Sequence, residues 1–174
     1  SPKVQSLSID EAFLDVSGAR ALLGRPFDIA TAIRERVRIE VGLAASIGVA
    51  SSMFVAKVAG SRAKPDGLLV VPAGETVDFL APLPVTALWG VGAVTAKRLS
   101  NFGLNTIVDI QRSEMESLVS ILGDRLAHHL HNLAMGIDER TIEDRSSERS
   151  IGRSNTFGTD LTDTAEMHRE VLRM

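Results

Sequence analysis

The 174-residue sequence has no cysteine, no tyrosine, a single tryptophan (Trp89) and only 4% aromatic residues in all. The lack of cysteine excludes disulfides, thiolate zinc sites and cysteine nucleophiles, so any metal must be held by oxygen or imidazole. It is also compatible with a reducing, cytoplasmic setting. No apolar run exceeds four residues, as at 68–71, far short of the ~20 that a membrane-spanning helix needs. The start carries no secretory-signal pattern. Positive charge is not in excess either: 19 Lys and Arg stand against 22 Asp and Glu, a formal charge of −3. That argues against a surface that tracks nucleic acid throughout and leaves room for local basic patches. The 44% apolar and 24% charged residues suffice for a core and a wet surface in one ordinary domain or two small ones, so disorder of the bulk is not expected. The chain opens at Ser1 inside a strand-like pattern and stops at Met174 inside a helix-like one, and it reads as a fragment.

Residues 4–9 and 12–16 alternate polar and apolar, which predicts two strands joined at Asp10-Glu11. If Leu7 and Ile9 share a buried face with Ala12, Leu14 and Val16, then Ser8, Asp10, Glu11, Phe13 and Asp15 lie on the open face, both carboxylates of the turn projecting the same way. Ile29, Ala30, Ile33, Val37 and Val41 recur at helical spacing, an amphipathic helix over one sheet face that Gly42 ends. Residues 43–50 read as a buried strand, Ser51 or Ser52 as the cap of a helix running to about Ala63, 64–67 as a turn and 68–71 as a further strand. This order predicts an α+β layer.

Beyond Pro72 the texture changes. Pro82 and Pro84 lead into short helices predicted over 92–102, 106–111, 113–122 and 124–135, with Ser113 and Glu116 as a capping box and Gly103 and Gly136 at positive φ. Together they make a small all-helical domain with Trp89 as a core anchor. Residues 138–149 are polar and densely charged, as a tether between domains would be. After them, 150–159 reads as a strand, and Asp163 with Glu166 starts another helix.

Three groups of residues could carry chemistry. Asp10-Glu11 offers the hard oxygen ligands that Mg²⁺ takes, or is a solvated acidic turn. Lys57 and Lys64, seven residues apart, could meet a triphosphate as point charges, or lie on a wet helix face. The Gly90-Val91-Gly92 turn opens a helix whose unpaired amides suit a backbone phosphate, with Lys97 and Arg98 one or two turns on; with the second turn at 102–106 this is a helix-hairpin-helix pattern, unless both turns are merely tight connections. Asp124, His128 and His131 share a helical face beside His129, but Asp124 reads more simply as a cap. No Gly-x-Ser-x-Gly elbow and no dinucleotide fingerprint is present.

Taken together, residues 8–16 (Ser-Ile-Asp-Glu-Ala-Phe-Leu-Asp-Val), 46–50 (Ser-Ile-Gly-Val-Ala), 63–67 (Ala-Lys-Pro-Asp-Gly) and 88–92 (Leu-Trp-Gly-Val-Gly) resemble, in order and spacing, the Y-family translesion DNA polymerases of the DNA polymerase IV (DinB) type. The resemblance extends to 149–153 (Arg-Ser-Ile-Gly-Arg), the opening of the family's little-finger domain. It implies a partial polymerase palm, an antiparallel or mixed sheet with two helices, at 1–71, a helical thumb at 72–138, a linker at 139–149 and the start of the little finger at 150–174. Asp10 and Glu11 would be two of three metal-binding carboxylates for two Mg²⁺ ions, Asp10 bridging both and Glu11 binding the one that activates the primer hydroxyl. Lys64, with Lys57 less securely matched, would contact the incoming deoxynucleoside triphosphate. Gly90, Gly92, Lys97 and Arg98 would grip primer–template DNA, and a sliding clamp is a further candidate partner.

The departures from the family pattern are specific. Its first motif, an Asp on the opening palm strand followed by paired aromatics, is absent, as is the fingers domain, and Ser52-Met53 and Ser154 replace an Asn-Lys pair and a Glu. The expectation is translesion synthesis by the intact protein and little or no activity of this chain alone. The alternatives are a non-enzymatic helix-hairpin-helix module that binds DNA and an inactive polymerase paralogue.

Overall fold

A computed structural model of the chain describes residues 3–143, 154 and 156–173. The chain divides into two compact units, Ser1–Glu143 and Asp144–Met174. The first opens with an antiparallel hairpin, β1 (Lys3–Ser6) and β2 (Ala12–Asp15), in which Lys3 faces Asp15 and Ser6 faces Ala12. A short helix α1 (Arg20–Leu23) leads into α2 (Pro26–Val41). Pro26 suits the first helical position because its missing N–H would have had no partner there. Gly42, at φ +73°, closes α2 with its N–H on the Arg38 carbonyl. Next come β3 (Ile47–Val49), α3 (Met53–Arg62) and β4 (Leu68–Val70), with β3 and β4 parallel and α3 as the crossover that a parallel pair requires.

The helical part follows as α4 (Thr76–Leu80), α5 (Ala93–Ser100), α6 (Ile107–Arg112), α7 (Met115–Leu122) and α8 (Asp124–Ala134). One continuous core joins it to the sheet-containing part: Phe54, Val55, Val58 and Ala59 of α3 pack in the same buried cluster as Leu80, Leu99, Ile110, Leu118 and Leu130. This is the mixed α+β architecture with a helical region after it that the residue pattern predicts. In the second unit, α9 (Thr164–Arg173) begins where expected, with Asp163 accepting the Ala165 N–H through its side chain at 2.9 Å and the Met167 N–H through its carbonyl. The expected strand over 150–159 falls half outside the described residues, and its described positions, 154 and 156–159, are not strand. No helix among the described residues is long and apolar enough to cross a membrane.

Several local expectations are corrected. The strands form two separate pairs rather than one layer, flanking a cleft of about 850 Å³ lined by Leu14, Ile33, Ile47 and Val49 among others. On β2 the buried side chain is Phe13, whereas Leu14 is 41% exposed. The face is opposite to that expected because the aromatic ring, the larger apolar payload, packs edge-on against the Trp89 ring. The predicted first strand ends early, because the Leu7 and Ser8 amides both turn onto the Glu11 carbonyl. The capping box falls at Thr106 and Asp109 rather than Ser113 and Glu116, since the Ser113 hydroxyl donates backward to the Asp109 carbonyl at 2.7 Å. Gly103 and Gly136 do adopt positive φ, +78° and +75°.

α3 crosses β3 with no side chain between them. A Cβ on Gly48 would stand 2.1 Å from the Ala56 carbonyl oxygen and 2.2 Å from the Gly60 nitrogen, both backbone atoms that cannot step aside. Gly48→Ala is therefore expected to destabilise the chain by about 3 kcal/mol or more, while Gly74→Ala, which meets nothing within 4 Å, stays within about 0.5 kcal/mol; urea unfolding of the two variants makes the comparison. The Thr106 hydroxyl and the amides of Thr106 and Asn105 donate to Asp109 and hold its carboxyl below the ordinary aspartate range. A depressed folded value means stability that is present above the unfolded pKa and lost as pH falls through the folded one. Asp109→Ala should cost about 1 kcal/mol at pH 7, a penalty that shrinks as pH drops below the ordinary value of 3.8; stability measured against pH tests both the size and the sign.

Candidate functional site

The bend between β1 and β2 presents Asp10 and Glu11 in different settings. The Ser8 hydroxyl donates to Asp10 Oδ1 at 2.5 Å. That bond comes first among the causes that lower the Asp10 pKa, ahead of its own backbone amide and the charges of Lys64 and Lys57. Asp10 is exposed and ionised at neutral pH. Glu11 instead accepts an ion-paired hydrogen bond from Lys57 Nζ, projected from the second turn of α3. Lys57 also stands 6.0 Å from the centroid of the Trp89 ring, at the outer reach of a cation–π contact.

Lys64 follows the end of α3 and lines the same cleft as Asp10, Glu11 and Lys57. Its turn, with a cis Lys64–Pro65 peptide, is anchored from α2. Arg34 donates to the Ala45 carbonyl at 2.9 Å and to both the backbone and the carboxylate of Asp66, and Arg38 adds a second ion pair. These bonds, Arg34 foremost, lower the Asp66 pKa. Asp66 adopts φ +46°, a left-handed conformation that Asp tolerates better than most residues. All four side chains predicted at this corner thus come together. Arg34 is the member that residue spacing misses, because its partner lies 32 positions away.

As a metal centre the corner is incomplete. One carboxylate is engaged by an ammonium, the other is alone, and among the described residues no three His, Cys, Asp or Glu side chains are grouped to hold an ion. His128 Nδ1 lies 2.9 Å from the Asp124 carbonyl.

The glycine turn stands one residue from Trp89. Gly90 takes φ +95°, a conformation that costs any other residue strain, and the His129 ring lies alongside it. Gly92 is the N-cap of α5 and supplies no capping side chain, so the amides of the first turn have no intrahelical acceptor and face outward at the positive end of the dipole. Lys97 and Arg98 are exposed in the last turn of that helix. The second turn differs in chemistry, since the Ile107 and Val108 amides already donate to the Leu83 and Ala81 carbonyls, and the Asp109 carboxylate, accepting from the Thr106 and Asn105 amides, places negative charge there. Of the two turns, only the one at Gly90 and Gly92 offers open donors to an anion.

Trp89 joins the two regions. Contrary to its expected place in the helical core, it is partly buried at the junction, its ring meeting Phe13 edge-on at 6.2 Å and Phe54 at 6.1 Å. Arg140 covers it, with the guanidinium carbon 4.0 Å from the ring centroid. Asp138 and Arg140, read from the sequence as part of a solvated tether, are packed here.

Comparison with known proteins agrees with this layout. Residues 1–61 match the impB/mucB/samB family and residues 86–138 match the "DNA polymerase-iota, thumb domain". The chain is 47% identical over 158 residues to DNA polymerase IV 2 of Mesorhizobium japonicum, covering 91% of this chain and 38% of that protein. It is 42% identical over 168 residues to DNA polymerase IV of Halorhodospira halophila, covering 97% and 47%. Among solved structures, DinB from Sulfolobus solfataricus superimposes with a TM-score of 0.71 at 29% identity, over 82% of this chain and 42% of that one. An insertion ternary complex of Dbh DNA polymerase gives 0.72 at 30% identity, over 81% and 41%. The chain spans less than half the length of these relatives. With motif order, fold and relatives in agreement over that span, the chain belongs to the Y-family DNA polymerases of the DNA polymerase IV (DinB) type.

Proposed function

We propose that this chain is the C-terminal part of the palm, the thumb and the start of the little finger of a polymerase that extends primers past damaged bases in the cytoplasm. The boundaries proposed are 1–71, 72–138, a linker at 139–149 and 150–174. The observation that carries the reading is the placement of an acidic bend and two lysines on one side of Trp89 and an open-ended, basic helix turn directly after it. A phosphodiester strand held by Gly90, Gly92, Lys97 and Arg98 would run next to Asp10 and Glu11. Lys64 is proposed to meet the triphosphate of the incoming deoxynucleotide, with Lys57 available to it only once its pairing with Glu11 is broken. Mg²⁺ is proposed as the cation for Asp10 and Glu11 in the longer protein, because hard oxygen donors suit it; these two carboxylates fall short of a donor set for two ions. A sliding clamp rests on the resemblance alone.

A second reading fits the chain by itself. Among the described residues, Glu11 paired with Lys57 and Asp10 with no further carboxylate grouped beside it do not assemble a centre for nucleotidyl transfer, which favours a DNA-binding role for the 174 residues on their own. Primer extension assays should accordingly detect no template-directed product from this chain. In the complete protein, Asp10→Ala should lower extension about 100-fold or more while leaving DNA affinity unchanged; retained extension would remove the polymerase reading. Replacing Lys97 and Arg98 together by Ala should weaken duplex binding equally for unrelated sequences and flatten the dependence of log affinity on log salt by about 2. Fluorescence anisotropy across a salt series measures both.

A further inference from the structure

The first turn of α3 is capped from far away in sequence. Ser52 occupies the N-cap position, but its hydroxyl donates to the Gly136 carbonyl at 3.2 Å and leaves the helix amides to another acceptor. That acceptor is Asp138, 84 positions on, whose Oδ2 takes the Phe54 N–H at 3.0 Å. The Asp138 side chain is only 3% exposed, and a buried carboxylate is stable only when its oxygens are well satisfied. Here both oxygens are also held by Arg140, through Nε at 2.7 Å and Nη2 at 2.9 Å, with the Arg140 amide at 3.3 Å. Burial alone would raise the Asp138 pKa, but the bonds from Arg140 and Phe54 outweigh it and hold the group below the ordinary range.

The fork geometry that fixes Arg140 on Asp138 also lays its flat guanidinium on Trp89. Other neighbours of that ring are Phe13, two residues after Glu11, and Lys57, the partner of Glu11. A continuous path of contacts therefore runs from the segment leaving α8, through Asp138, Arg140 and Trp89, to the acidic bend.

We propose that Asp138 and Arg140 form a clasp that positions Lys57 against Glu11, so that the acidic corner is set by how the chain leaves the helical region. Both are positioning residues. The catalytic consequence rests on the reading of Glu11 given above, whereas the clasp itself can be tested without DNA or nucleotide, so failure of one leaves the other standing.

Trp89 is the only tryptophan and there is no tyrosine, so emission of the 174-residue chain reports on this ring alone. Arg140→Gln and Asp138→Asn should both alter that emission and raise acrylamide quenching about two-fold as the guanidinium leaves the ring. Mass-spectrometric footprinting of lysines with an acetylating reagent should show Lys57 reacting about three-fold faster in both variants, with exposed Lys97 unchanged. Arg140→Lys, which keeps the charge but loses the planar fork, should fall between wild type and Arg140→Gln and gives a milder variant should the others fail to fold. Unaltered emission would overturn the stack. An unchanged ratio of Lys57 to Lys97 reactivity, or a rise common to all lysines, would overturn the positioning role and reduce the clasp to a support for overall stability.

Discussion

The structure turns on the close approach of α3 to β3. With only hydrogen on Gly48 facing the backbone of Ala56 and Gly60, the helix lies directly on the strand. Its other side, with Phe54, Val55 and Val58, is thereby delivered into the core shared with the helical region. Everything chemical at the corner hangs on this one helix. Lys57 leaves its second turn, the Lys64 turn follows its end, and its start is tied to Asp138. A single element thus sets the positions of two cations and links both parts of the first unit, which is why packing and candidate function cannot be separated here.

Electrostatics at the corner is a matter of pairing rather than burial. Asp10 is exposed and held ionised chiefly by the Ser8 hydroxyl, while Glu11 and Lys57, both partly buried, neutralise one another. The paired arginines on Asp66 do the structural work instead, tying the turn that carries Lys64 to α2. The division of labour is visible in exposure: the Arg34 side chain is 22% exposed and that of Arg38 61%, so Arg34 is the inner anchor.

Much of this could be read along the chain, because it depends on local chemistry. The periodicity of α2, the proline and glycine at its ends, the turn at 64–67, the glycine turn before α5 and the acidic dipeptide are all governed by residues within a few positions of one another. What could not be read depends on partners brought from afar. Phe13 rather than Leu14 is buried because Trp89 supplies the surface for its ring, and strand alternation alone is equally consistent with either face. Ser52 looks like a cap, yet the cap is Asp138. A run of charges at 138–149 looks like a solvated tether, yet its first residue is buried and its third stacks on an indole.

The sequence by itself determined the class of elements, their order, the family, and the residue types available at the candidate site, since each follows from short-range pattern and from motifs at fixed spacing. Only the tertiary structure decided which carboxylate is paired and which is open, which of the two helix-opening turns keeps its amides available, and where Trp89 sits. Those outcomes are set by contacts between residues tens of positions apart, and the side chains that make them are indistinguishable, in the one-dimensional string, from ordinary surface charges.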